Sequence, residues 1–392
     1  MTTRYRVSAS LLAATIAGIA MSAASLAGQQ TPAAPAAGGA TARPPQAAPA
    51  ATGALKPVTT TYKVKTPDGQ PDLQGFWTNA TLTPLQRPEG VGEFVTKDEF
   101  EKRVAQRAAT DEEQTKPGTV NDVHYDFTQF ALDKSQSPIS HNNYRTSQII
   151  DPPDGRIPTL AAARQGGGGG RGGAAAAGGG RAGAGAARGG GGTAAAVGGG
   201  AAGGGGGRGG QYDRVQNLPV GTRCIIMGGS GPPLQDAGYN ANYQIVQGQG
   251  VVMILTEMIH DARIIPLDNR PAPPSGFTGW MGASRGRWEG DTLVVETTNW
   301  NGRRLYQGST ANMKLTERFV RVAKDQINYR FTVDDPAVFA RPWTAEQVLQ
   351  QTEGPIFEHA CHEGNYGVAN TLAGARLEEK TAAEEAAKKG SK

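Results

Sequence analysis

One stretch of this chain limits the possible folds more than any other. From residue 242 to 361, "NYQIV", "VVMILTEM", "ARIIPL", "TLVVETTNW", "LTERFVRV", "INYRFTV", "TAEQVLQQ" and "IFEHAC" follow in series. Most are β-branched or aromatic, with Gly, Asp, Asn or Pro between them, which is the pattern of strands and turns. The connections include "QGQG" after Val246, "EGD" before Thr292, "AKDQ" before Ile327 and "TEGP" before Ile356. Turns this short join antiparallel neighbours, because parallel strands need a crossover segment. The spacing predicts a mainly β fold, an antiparallel up-and-down meander. A sheet of so many strands must close, fold over or cover its edges, so a barrel or sandwich is expected. In "INYRFTV", Tyr329, Phe331 and Val333 face one way and Asn328, Arg330 and Thr332 the other, a sheet with one wet side. "VVMIL" is apolar on both faces and reads as a central strand.

Upstream, "PDGQPDLQGFW" holds two turn signals and a short apolar stretch, and "RTSQIIDPPDGRIPTL" reads as a strand ending in a turn. "TKDEFEKRVAQRAA" carries a capping box, Thr96 with Glu99, and places Phe100 and Val104 on one face. It predicts the one N-terminal helix, over 97–109. Together these form a single β-rich domain over 61–376. It is interrupted at 165–210 by an insert of Gly and Ala with scattered Arg, expected to be disordered because glycine loses the most entropy on ordering. Residues 377–392, "LEEKTAAEEAAKKGSK", lack an apolar stripe and read as a charged, solvated tail.

Residues 1–27 read as an export signal. Arg4 and Arg6 precede an apolar, alanine-rich run, and Ser25 and Ala27 fit a small-x-small cleavage site. Residues 28–60 form a Pro/Ala linker without large apolar groups, expected to be disordered. Localisation is therefore expected to be periplasmic or secreted, with no membrane span in the mature chain. Leader and insert together hold six arginines and no acid, so 33 of the 39 basic residues remain against 35 acidic ones. The folding part is near neutral, which argues against a nucleic-acid partner.

The segments "MIHDARIIPLDNRP", "GRWEGDTLVVETTNW", "TERFVRV", "FTVDDP", "RPWTAE" and "ACHEGNY" resemble a widespread family of exported, uncharacterised bacterial proteins. "TPDGQPDLQGFWTNATLTPLQRP" fits the same family. The resemblance implies export and a β-rich domain and carries no catalytic role. Gly75-Phe76-Trp77 is similar to the Gly-x-Trp that opens lipocalin-like barrels, an analogy about fold alone.

The densest chemistry is "FEHACHEGNY", with His359, Cys361, His362 and Glu363 in five positions. On a strand His359 and Cys361 share one face and His362 the other, which spoils a compact metal site. Cys224 is the only other cysteine, and two thiols outside the cytoplasm are expected to be oxidised. A Cys224–Cys361 disulfide is the expectation, with no metal. His260 and Asp261 follow the most apolar strand, at the point where the chain leaves the sheet. Imidazole can act as a general base, but adjacent residues on an extended chain point apart, so Glu363 or Asp291 would have to orient it. The structural alternative is that His260 bonds a turn and Asp261 pairs with Arg263 or Arg285.

His260, Asp261, Asp291, His362 and Glu363 are thus candidate catalytic residues, and Arg263, Arg285 and Trp288 candidate ligand-binding ones. Aromatics such as Trp288 could stack a sugar, though buried packing is the simpler role for most of the five tryptophans. No nucleophile elbow, phosphate-cradling loop, dinucleotide fingerprint or EF-hand spacing is present, and no cofactor is expected. The leading expectation is a protein that binds a small molecule or glycan on a concave sheet face. The alternatives are a hydrolase or lyase using His260, and a structural or partner-binding envelope protein.

Overall fold

The computed structural model describes residues 55–114, 138–160, 212 and 214–390, except 237, 239, 269, 272, 304 and 305. The expected export signal, most of the linker and the glycine-rich insert lie outside the described residues. The strands are β1 (Gly75–Thr78), β2 (Ile149–Asp151), β3 (Asn242–Gly248), β4 (Val251–Thr256), β5 (Ala262–Pro266), β6 (Ala283–Glu289), β7 (Thr292–Thr298), β8 (Lys314–Ala323), β9 (Gln326–Asp334) and β10 (Trp343–Thr352). Two α-helices flank them, α1 (Lys97–Gln114) and α2 (Tyr366–Gly390).

All ten strands join one sheet in the order β5-β4-β3-β1-β10-β9-β8-β7-β6, with β2 on the upper part of β10. Every pairing is antiparallel. The first strand therefore lies between β3 and the last one, and sequence order runs round a ring broken only between β5 and β6. The long connection across the break follows from parity. Nine strands alternate in direction round the ring, so β5 and β6 point the same way and a hairpin cannot join them. A connection over 267–282 returns the chain to the rim where β6 starts. Side chains bridge the seam: Arg263 Nε donates to Ser284 Oγ at 2.8 Å, and a Cβ on Gly286 would come within 2.9 Å of Ile265 and 2.6 Å of Leu267. Gly286 thus lets the two edges approach. The meander is present, but hydrogen bonds do not close it into a barrel.

The enclosed face is filled. Trp77, Tyr243, Phe319, Tyr329, Phe331 and Trp343 are fully buried with Ile245, Ile254, Ile265, Leu293, Leu315 and Ile327. Each such side chain contributes about 1.5–3 kcal/mol relative to exposure. β9 obeys its predicted alternation, with Tyr329, Phe331 and Val333 inside. β4 lies second from an edge rather than at the centre. Its Val252 and Ile254 are buried, whereas Val251, Met253 and Leu255 on the other face are half-exposed.

Several local expectations change. The capping box forms, with Thr96 N donating to Glu99 Oε2 at 2.9 Å and Glu99 N to Thr96 Oγ1 at 3.2 Å, and α1 runs on past 109 to Gln114. "IFEHAC" is not a strand. After Thr352 the chain leaves the ladder and crosses the outside of β1, where Gly354 stacks on Phe76. The helix expected only as a tail starts earlier, at Tyr366. Val368, Thr371, Leu372 and Ala375 form its covered stripe, and everything after Ala375 is exposed. Residues 55–60, assigned to the linker, form a strap across the outer face, held by Arg330 Nη1 to Lys56 O at 2.7 Å and by Thr60 Oγ1 to Arg321 O at 2.8 Å. The Arg321 guanidinium then lies between the Tyr62 and Trp77 rings, 5.1 and 5.0 Å from their centroids, and plugs that end of the core.

Candidate functional site

The corner around His260 is a strained turn. Ile259 and His260 both have positive φ, 65° and 48°, which is unfavourable for a β-branched residue such as isoleucine. Packing holds the turn in place, because Met258 and Ile259 lie against the Cys224–Cys361 disulfide. That bond is formed, with a Cα–Cα distance of 5.8 Å, as the cysteine count predicted. Glu257, 1% exposed, accepts from Asn242 Nδ2 at 2.7 Å and from the Phe357 amide at 3.1 Å. It thereby clamps the crossing segment to the end of β4. His260 Nδ1 lies 3.1 Å from the His359 carbonyl. A carbonyl only accepts, so Nδ1 carries the proton and Nε2 is left as the basic nitrogen. Burial, and then the nearby His260, lowers the pKa of His359, and burial raises that of Asp261 against the pull of His260.

Among the described residues, no hydrogen bond or ion pair joins His260 to the acidic partners foreseen for it. Asp291 lies in the β6–β7 turn, at the opposite rim from the β4–β5 turn, and pairs with Lys63. His362 and Glu363 are exposed, and among the described residues neither side chain takes part in a hydrogen bond or ion pair. No group of three His, Cys, Asp or Glu suited to a metal ion occurs among the described residues.

Arg263 is not on a ligand surface. It is 5% exposed, inside the core. Nη1 donates to Glu317 Oε1 at 3.1 Å, Nη2 pairs with Glu317 Oε2, and Nη2 donates to Thr297 Oγ1 at 3.0 Å. Tyr329 OH donates to Glu317 Oε1 at 2.8 Å and accepts from the Leu234 amide. Burial, with the Glu317 charge second, holds the Tyr329 hydroxyl well above its usual pKa. Asp261 therefore does not pair with Arg263. Trp288 is half-buried, with one side packed on the core. Arg285 faces outward on β6 with Nε and Nη1 buried and without hydrogen bonds.

The open site lies elsewhere, on the outer face of β7 to β10 beneath the strap, as a groove of about 580 Å³. Register places its floor in rows across the strands. One row is Thr292, Val320 and Asn328; the next is Arg318 and Arg330; the third is Thr332 and Thr344, reaching Asp151 on β2. Leu55, Lys56, Pro57 and Val58 form the roof. Arg318 Nη1 donates to Glu289 at 2.8 Å and holds that carboxyl below its usual range. Arg330 Nε donates to Glu346 at 2.6 Å, and Thr332 and Thr344 share a hydrogen bond of 2.8 Å. Asn328 is only 7% exposed, and its Oδ1 is buried with no hydrogen-bond partner. Trp77, Trp300 and Trp343 are buried in the core, and no aromatic ring lines the groove.

No family model, curated protein or solved structure matches the chain. Nothing from a relative can therefore be laid over this geometry. Sequence alone places Asn328, Arg330 and Thr332 on the wet side of β9 without marking them as a site. Their signal was the alternation itself. Arg318 sits in the same phase on "LTERFVRV", and only register brings it opposite Arg330.

Proposed function

We propose that the protein is a periplasmic or secreted binding protein that holds a small, hydroxyl-rich molecule of sugar size in the groove on β7 to β10. The observation that carries this reading is Asn328, a buried amide oxygen without a partner on the floor of an open groove. A buried unsatisfied acceptor costs about 1–3 kcal/mol, which a hydroxyl donated by a ligand would offset. Thr292, Thr332 and Thr344 add groups that donate and accept, and Leu55, Pro57 and Val320 give an apolar wall for a C–H face. The volume suits a small ligand, since such pockets span roughly 300–1,000 Å³. The disulfide and the export-signal pattern support the compartment. The glycan expectation shifts from aromatic stacking to hydrogen bonding, because no aromatic ring lines the groove.

Calorimetry and thermal shift with mono- and disaccharides test this reading. Asn328→Ala should abolish binding while leaving the melting temperature without ligand unchanged or higher, because it deletes an unsatisfied polar group. Absence of any saccharide binding, or undiminished binding in the variant, would refute the assignment.

One observation favours a second reading. His260 presents Nε2 with its tautomer set by the His359 carbonyl, which suits a general base in a hydrolase or lyase. Neither Glu363 nor Asp291, the acids expected to assist, bonds it, and the charge beside it is that of the adjacent Asp261. Turnover of an ester or polysaccharide that disappears in a folded His260→Ala variant would support it.

A further inference from the structure

We propose that the groove is selective for an acidic sugar and that Arg318 and Arg330 together receive its carboxylate. This rests on the binding reading above and adds the chemical class of the ligand. Arg318 on β8 and Arg330 on β9 are direct register partners, and both point to the outer face. Like charges directly opposite on neighbouring strands repel. Here the pair forms the centre of the groove. Each guanidinium is drawn away from the other by its own acid, Arg318 by Glu289 in the β6–β7 hairpin and Arg330 by Glu346 on β10.

Neither arginine is used up by these contacts. A guanidinium has five N–H donors. Arg318 spends one on Glu289, and Arg330 spends one on Glu346 and one on the Lys56 carbonyl. The remaining donors of both belong to residues that line the groove, and Lys56 adds a third cation in the roof. A planar carboxylate placed between two guanidinium groups takes paired N–H···O bonds, which a neutral hydroxyl cannot match. Asn328 and Val320 lie one row below the arginines, and Thr332 and Thr344 one row above. A ligand with an acid group and a hydroxylated ring matches that order of charged centre and polar flanks.

Isothermal titration of the whole protein with glucuronate, glucose and glucose 6-sulfate tests the proposal. Glucuronate should bind at least tenfold more tightly than glucose, and raising salt from 50 to 500 mM should weaken glucuronate alone. Arg318→Gln, a half-exposed position, should weaken glucuronate and bring the glucuronate-to-glucose ratio near one. Arg376→Gln, on α2 and away from the groove, should change neither. Equal binding of glucuronate and glucose overturns the inference about charge and leaves the groove reading standing. Preference for the sulfate overturns the carboxylate, and so does a ratio that survives Arg318→Gln. No binding of any of the three removes both readings.

Discussion

Gly354 lies against the Phe76 ring so closely that a Cβ there would stand 2.4 Å from Phe76 Cδ2 and 2.6 Å from Cγ. Its φ is +65°, a conformation that L side chains rarely adopt. Both features hold the segment after β10 flat on the outside of β1. Gly354→Ala should therefore cost about 2–3 kcal/mol, from overpacking and an unfavourable φ together. Urea unfolding should show a lower midpoint at unchanged slope. A midpoint equal to that of the unaltered protein would mean that the segment is not held there.

The same segment is tied down by the disulfide. Cys224 and Cys361 are 137 residues apart, so the closed loop is long, and the chain-entropy model gives about 4–5 kcal/mol as an upper figure. Cys224→Ser with Cys361→Ser should lower stability by a few kcal/mol, at most about that value. The substitutions should also expose residues after Thr352 to protease before the sheet is cut. Simultaneous cleavage of segment and sheet would show that the tie is not local.

Arg263 and Glu317 are 5% and 0% exposed in their side chains, within a network whose other members are Ser284, Thr297 and Tyr329. Glu317→Ala leaves a buried guanidinium without its counter-charge and should cost about 3–5 kcal/mol. Adding Arg263→Met should recover much of that loss, because the uncompensated charge is then gone. Additive losses in a double-mutant cycle, measured by chemical unfolding, would rule out a coupled pair.

His359 has a folded-state pKa below its ordinary value, through burial first and His260 second. Below about pH 6.5 the unfolded chain takes up that proton more readily than the folded one. Stability should fall as the pH drops from about 6.5 towards the lowered folded value, then level off with respect to this group. Asp261 acts oppositely, because burial raises its pKa and acidification relieves it. In His359→Gln the loss beginning near pH 6.5 should shrink, read as midpoint against pH. An unchanged profile would remove His359 as its source.

Most of the sheet was readable because its signals are local. A β-branched run with a Gly or Asp turn at each end specifies its own strand, as in Thr292–Thr298 after Glu289-Gly290-Asp291. The exception, "IFEHAC", has the right composition, but it lies without a ladder against Glu257, His260 and Cys224. Glu317 was also open to reading, since it alternates in phase with Leu315 and Phe319 and so had to point inward. Its partner Arg263 was not, because the two are 54 residues apart and meet only across the β5–β6 seam.

The sequence by itself determined the antiparallel strands, the capped helix and the oxidised cysteine pair, through periodicity, turn chemistry and counting. The tertiary structure alone decided that the inner face is solid, that Asp291 and His260 sit at opposite rims, and that Arg318 faces Arg330 beneath a strap. The reason is register. It joins residues distant along the chain, and a shift of one position would send every side chain of a strand to the other face.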